Sequence, residues 1–427
     1  MPPAKTDGSQ GLKGDRLPEP AASTLAPPGK ARRPGAYPSG LVAPRERLPG
    51  SSAAVPRRAR RARRLFPEPP RPYTRRVERF AILTGSPGAI PDAVAAALGR
   101  AGLSVRHAPI APDGRPRLEI DARGAEAVVH LGVRTPRDLD ERSRARIEAA
   151  AAGAVAALAR EAGARRLVHV STAAVYGTPR NLPCREGELK APRTALERIR
   201  WRAEQASWAE FRRGAPLTVL RPTILYGPGL TGGPVRALTF FALLGGRQRI
   251  PIIRRGPVAH LVHVEDLARA VVHVVQHPDD RDVVGRAFNV GDEAPLPLAE
   301  HLAVALAALG FTPGRVLPTL PRLTAALLWL VRHVPDRALL GPVNGRLERA
   351  WRRLAARTGA TEARAPRVER EAIHWMSADH YYDTSRLAAL GFQALHPLST
   401  EAIPETIRAL AAGRFLPSSR PGALPAW

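Results

Sequence analysis

One cysteine, Cys184, stands in 427 residues. A single thiol closes no internal disulfide and builds no cysteine-based zinc site, which suits a reducing compartment. Lysine is almost as scarce: Lys5, Lys13, Lys30 and Lys190 are the only ones, so arginine carries nearly all the basic charge. No run approaches the ~18 consecutive apolar residues that span a bilayer. The longest candidate, "LTAALLWLV" (Leu323–Val331), is too short, and no hydrophobic stretch near Met1 resembles a secretory signal. The expected location is therefore cytoplasmic. A peripheral membrane contact stays open through "LPTLPRLTAALLWLVRHV" (Leu317–Val334), whose apolar middle and basic flanks suit either an interfacial segment or a helix packed on the core.

What is present is positive charge, formally +27. Such an excess ordinarily points to nucleic acid or an anionic membrane. Here the arginines are spread through helices and loops among abundant Ala, Gly and Pro, so compositional bias plus a basic tail accounts for it, and no nucleic-acid partner is expected. Residues 1–76 read as a disordered Pro/Arg-rich tail without hydrophobic period, including the run "PRRARRARRLF" (Pro56–Phe66). Met376 is the only methionine after Met1, so a product lacking this tail would need a non-Met start.

Order is expected from "VERFAILTG" (Val77–Gly85). Strands at Leu103–Ala108, Ala125–Val133, Arg165–Thr172, Leu217–Thr223, Ala259–Val264 and Arg286–Gly291 alternate with helices, above all Arg146–Gly163, Val264–His277 and Leu298–Gly310. Alternation of this kind predicts a doubly wound parallel sheet with helices on both faces. The predicted organisation is a dinucleotide-binding domain over 77–230, a C-terminal cap over 231–416 interleaved with the last strands, and a flexible tail over 417–427.

The stretch "LTGSPGAIPDAVAAALGRAG" (Leu83–Gly102) reads as strand, glycine turn and helix. Alone, its G-x-x-G is weak evidence for phosphate binding and equally describes an ordinary strand-to-helix turn. Four further stretches, in order, carry a resemblance: "VHVSTAAVYG" (Val168–Gly177), "LRPTILYGPG" (Leu220–Gly229), "HLVHVEDLARAVV" (His260–Val272) and "AFNVGDEAPL" (Ala287–Leu296). Together they resemble the extended short-chain dehydrogenase/reductase superfamily, the NAD-dependent epimerases, dehydratases and 3β-hydroxysteroid dehydrogenase-like enzymes, from about residue 79 to 412. "YYDTSRLAALGF" (Tyr381–Phe392) leans toward the sterol-dehydrogenase-like branch.

The resemblance implies an α/β fold, a Rossmann-type doubly wound sheet with a smaller C-terminal substrate or cap subdomain. It implies NAD or NADP at the helix N-terminus, a sterol-like or sugar-nucleotide small-molecule substrate, and room for a homodimer. Cofactor contacts are expected from Gly85, Ser86, Gly88, Ala89 and Ile90 in the turn, with Pro91 replacing the family's third glycine. Further contacts are expected from Arg106 toward a 2′-phosphate, Asp121 toward adenine, Leu131 and Pro222. No acid stands at the end of the second strand to select NAD. Tyr176 and Tyr226 fall at expected substrate positions, although Tyr176 also suits a packing role.

The family's Ser/Thr–Tyr–Lys set is incomplete. Thr172 matches the first member. The "AEQ" ending (Ala203–Gln205) places Leu196 at the Tyr position and Arg200 at the Lys position. Leu196 has no proton to give, and arginine, with a pKa above ~12, is a poor proton carrier. No tyrosine lies between Tyr176 and Tyr226 to replace it. Two functions remain open on these residues: an NAD(P)-dependent oxidoreductase, epimerase or dehydratase acting on a carbinol or carbonyl, and a non-catalytic dinucleotide- or ligand-binding protein that kept the fold and lost the pair.

Overall fold

The computed structural model describes residues 79–417, apart from 112–113, 115, 118–120, 137–138, 244–248, 254–255, 318–325, 327–328, 331–332 and 335. The chain divides between Tyr73 and Thr74, and every described residue belongs to the second unit. The expected tail over 1–76, most of 417–427 and most of Leu317–Val334 lie outside the described residues. Among those described, no helix is long and apolar enough to cross a membrane.

Six parallel strands form the central sheet: β1 (Phe80–Thr84), β2 (Ser104–Ala108), β3 (Ala127–His130), β4 (Arg166–Val170), β5 (Leu217–Pro222) and, after shorter strands numbered below, β10 (Arg286–Val290). Their spatial order is β2-β1-β3-β4-β5-β10. β1, β3, β4 and β5 are buried along their whole length, which explains why they read as continuous apolar runs rather than alternating ones.

Helices cover both faces. On one side lie α1 (Ala89–Arg100), buried through Val94, Ala97 and Leu98, and α5 (Val264–Gln276), whose Leu267, Val271, Val274 and Val275 recur at helical spacing. On the other lie α2 (Glu141–Glu161) and α3 (Ala195–Phe211). α2 buries Ala151, Ala152, Ala156 and Ala159, small side chains that let it approach closely. α3 begins at a reciprocal cap, Thr194 with Glu197. The connection from β2 to β3 carries no helix among the described residues.

The C-terminal part comprises β6 (Ile224–Tyr226) beside β9 (Leu261–His263), β8 (Val258–Ala259) beside β11 (Leu296–Pro297), and β7 (Arg249–Ile253) beside β12 (Thr312–Leu317). Around them are α4 (Pro234–Leu243), α6 (Leu298–Ala308), α7 (Asp336–Thr358), α8 (Arg370–Trp375), α9 (Ser385–Ala388) and α10 (Ser399–Ala412). Tyr226, Leu238, Leu261, Ile403, Ile407 and Leu410 share its core.

A polar layer runs through the sheet near its C-terminal edge. His130 and His169 are register partners on β3 and β4, with rings 5.3 Å apart. His130 Nδ1 is hydrogen-bonded to Thr84 Oγ1 at 2.8 Å, and His169 Nδ1 to Ser207 Oγ at 2.8 Å. Burial first, then nearby positive charge, holds His130 well below the ordinary imidazole value and His169 at about 3. Both rings stay neutral when folded yet gain protons near pH ~6.5 when unfolded. The unfolded chain therefore binds more protons below that pH, and stability falls as pH drops, by up to about 1.4 kcal/mol per pH unit for each ring. The melting temperature should decline between pH 7 and 5, and less steeply in His169→Asn; an identical slope in that variant would show that His169 contributes nothing to it.

Candidate functional site

Chain connections leave β1 and β3 in opposite directions, so a crevice opens at the C-terminal ends of these two strands. The turn from β1 to α1 forms one wall. Gly85 and Gly88 hold φ of 147° and 150°, a region closed to most side chains, and Gly88 is the N-cap of α1. A Cβ on Gly85 would lie 3.1 Å from both Gly132 O and Leu131 Cβ, so this glycine lets the turn close onto the strand opposite. Ala89, Ile90 and Pro91 make the first helical turn, where a missing proline N–H costs no intrahelical bond. Ser86 Oγ accepts from the Arg134 amide at 2.7 Å. The Arg134 guanidinium comes to 3.8 Å from the Cβ position of Gly88. Arg134 is thus a cation at the glycine turn that motif reading missed, since it lies 46 residues away in the loop after β3.

The other family positions separate. Leu131 follows the end of β3, and Pro222 is the last residue of β5. Arg106 does not face the crevice: its guanidinium sits 3.6 Å from the ring centroid of Phe80, at the start of β1, and is turned toward the opposite edge. Asp121 falls between Arg117, whose amide donates to Pro109 O just beyond β2, and the start of β3. Its carboxylate accepts from the Arg123 amide, and the turn closed by Ala125 N–H to Ala122 O leads directly into the N-terminal edge of β3.

Thr172 caps the short turn Ala173–Tyr176 just beyond β4; its hydroxyl accepts from the Ala174 amide at 3.2 Å and the residue is half-buried. Leu196 and Arg200, one helical turn apart on α3, share a face. Leu196 is 42% exposed, whereas Ile199 and Ala203 of the same helix are buried. Arg200 lies over Gly132, where any Cβ would collide with its Nη1, and pairs through that atom with Glu148 of α2 at 3.1 Å. Burial raises the Glu148 carboxyl above its ordinary value, and Arg200 opposes that rise.

Tyr176 and Tyr226 are both closed from solvent, at 1% and 3% exposure, so neither presents a surface to a substrate. The Tyr176 hydroxyl donates to Asn289 Oδ1 at 2.9 Å and accepts from Arg221 Nη1 at 2.8 Å. Arg221 in turn pairs with Glu204 at 2.6 Å, both almost wholly buried. Lys190, the only lysine among the described residues, donates to Glu186 O at 2.7 Å beside the Tyr176 ring. Burial pulls it down to about 8.

A parallel sheet with this strand order and a glycine turn at its switch point define a Rossmann-type fold. Residues 116–291 match the model of the NAD dependent epimerase/dehydratase family. Over that stretch the chain is similar to this family, in line with the resemblance to the extended short-chain dehydrogenase/reductase superfamily. Solved structures share the fold at low identity. UDP-galactose 4-epimerase is 15% identical with a TM-score of 0.53, covering 78% of this chain and 99% of that one. MoeE5 in complex with UDP-glucuronic acid and NAD is 18% identical, TM-score 0.53, with the same coverage. Human epimerase family protein SDR39U1 (isoform 2) with NADPH is 17% identical, TM-score 0.52, covering 77% and 99%. No curated protein sequence matches the chain.

The packing role of Tyr176 is measurable. Tyr176→Phe leaves Arg221 Nη1 and Asn289 Oδ1 each short of a partner in a buried site, which costs about 1–3 kcal/mol. Chemical denaturation should register that loss. An unchanged unfolding midpoint would show that the hydroxyl is not part of the buried network.

Proposed function

We propose that this chain binds NAD or NADP at the crevice between β1 and β3 and that its acid–base pair is lost, making it a dinucleotide-binding member of the epimerase/dehydratase family rather than a fast oxidoreductase. The observation that carries the reading is the pairing of Arg200 with Glu148 beside an exposed Leu196. A phenol and an ammonium are both missing, and the one cation at the Lys position is already committed to a buried carboxylate.

The turn fits a pyrophosphate. Gly85 and Gly88 leave space for backbone approach, the N-terminus of α1 offers its first-turn amides at Ala89 and Ile90, and Arg134 adds a positive charge. A bound nicotinamide supplies a hydride donor or acceptor. Leu131 and Pro222 would flank the cofactor, and Arg200 would face its ribose. With Arg106 drawn onto Phe80 and no acid at the end of β2, neither NAD nor NADP is favoured by the second strand.

A second reading, residual oxidoreductase or epimerase activity on a small-molecule carbinol, is favoured by Thr172, which keeps the family hydroxyl at the end of β4 and can polarise a substrate oxygen. Sugar nucleotides are the substrate class to try first, because UDP-sugars accompany structural relatives.

Titration with NADH and NADPH, followed by tryptophan fluorescence, should give saturable binding. Arg134→Ala should weaken it roughly 5- to 30-fold, the equivalent of about 1–2 kcal/mol for an anion–guanidinium contact. Turnover on sugar-nucleotide and hydroxysteroid panels should be slow or absent. Leu196→Tyr with Arg200→Lys should raise it by roughly 10²–10⁴-fold, while either change alone gains little. Failure of the wild type to bind either dinucleotide would remove the proposal. Fast wild-type turnover abolished by Thr172→Ala would replace it with the second reading.

A further inference from the structure

We propose that His263, Glu265 and His396 form a binding site for a divalent transition-metal ion of the zinc class. Each offers one ligand atom, and these atoms all lie within 4.8 Å of one another. His263 ends β9, Glu265 stands in the first turn of α5, and His396 arrives from a segment 131 residues further along the chain. The two imidazole centroids are 3.9 Å apart, and His396 Nε2 is 3.3 Å from Glu265 Oε2.

Convergence of distant groups is held in place from behind. Asp266, 2% exposed, accepts from the Leu395 amide at 2.6 Å and the His396 amide at 3.0 Å. This carboxylate fixes the His396 backbone against α5, so the third donor is delivered before any ion arrives. His263 is buried, whereas Glu265 and His396 are half-buried and retain room to turn.

Two imidazoles and one carboxylate are the donor set of an open zinc site, with one position left for water or another ligand. Ligands at about 2.0–2.1 Å in a tetrahedron stand roughly 3.3 Å apart. The cluster therefore needs to close by about 1.5 Å, within reach of side-chain rotation at Glu265 and His396.

Three features oppose the ion, and each is weak. The Glu265 amide approaches His263 Nδ1 at 3.4 Å, a long contact. Arg100 lies 3.8 Å from Glu265 Oε1 as an exposed pair, of the kind that contributes little. The N-terminus of α5 carries partial positive charge, but Glu265 and Asp266 place two carboxylates in that turn.

The site adjoins the crevice. A Cβ on Gly227 would lie 3.3 Å from His263 Nε2, and one on Gly229 would lie 3.0 Å from Ala89 Cβ in the first turn of α1. A metal at His263 would thus brace the loop Tyr226–Gly229, which spans from β6 to the phosphate turn.

Full-length protein, purified with chelator and dialysed free of it, is titrated calorimetrically with ZnCl2. CoCl2 is added in parallel, and visible absorption is recorded. One equivalent of Zn2+ should bind and raise the melting temperature, and Co2+ should give the d–d bands of a four-coordinate N,O site. His396→Ala, at a half-buried ring, should weaken Zn2+ at least ~100-fold, about 2.7 kcal/mol, and abolish the Co2+ bands. Glu265→Gln should weaken Zn2+ less. Melting of the metal-free variants separates lost ligands from lost fold. Absence of binding by the wild type, or binding and Co2+ bands unchanged in a folded His396→Ala, would overturn the proposal, the latter because other histidines would then hold the ion.

Discussion

The buried pair of Arg221 and Glu204 is the constraint around which the C-terminal end of the sheet is organised. A guanidinium at 3% exposure and a carboxylate at 0% are tolerated only because each is satisfied several times over. Glu204 accepts from Ser171 Oγ at 2.6 Å, from Trp208 Nε1 at 3.1 Å and from both Nε and Nη2 of Arg221. Arg221 also donates from Nη1 to Tyr176 and to Glu186 O. Tyr176 and Glu186 then converge on Asn289 of β10. Removing one charge would leave the other buried and alone, at a cost of about 3–5 kcal/mol. The network thereby locks β4, β5, β10, α3 and the turn bearing Thr172 into one relative position.

The crevice inherits its geometry from that lock but not its chemistry. Arg200 stands on the same helix as Glu204 and is placed by it one turn from Leu196. A lysine there would present a compact ammonium. Arginine carries a longer planar fork that reaches across Gly132 to Glu148, so the positive charge is spent inside the protein.

The C-terminal segment acts as a strap across the Rossmann core. Cys184 N–H donates to Tyr381 O and Asp383 N–H to Cys184 O; His260 N–H donates to His380 O, and His380 N–H to Val258 O. Trp375 Nε1 reaches Glu197, which already closes the cap of α3. Segments far apart in sequence are in this way stitched together, and the convergence of His396 on His263 belongs to the same returning stretch of chain.

Much was readable from the residues alone. Mainly apolar runs alternating with helical stripes specified the parallel sheet, because strands covered on both faces bury nearly all their side chains. The departures at Leu196 and Arg200 were equally plain, since a missing phenol is a matter of composition at one position. Tertiary structure alone decided where side chains are spent. Arg106 occupies a plausible cofactor position by count, yet its guanidinium turns onto the ring of Phe80, a contact set by the packing of β2 against β1. Arg134 beside Gly88, Glu148 beside Arg200 and His396 beside His263 could not be paired by spacing, for contact across 46, 52 and 133 residues is set by packing and not by local period.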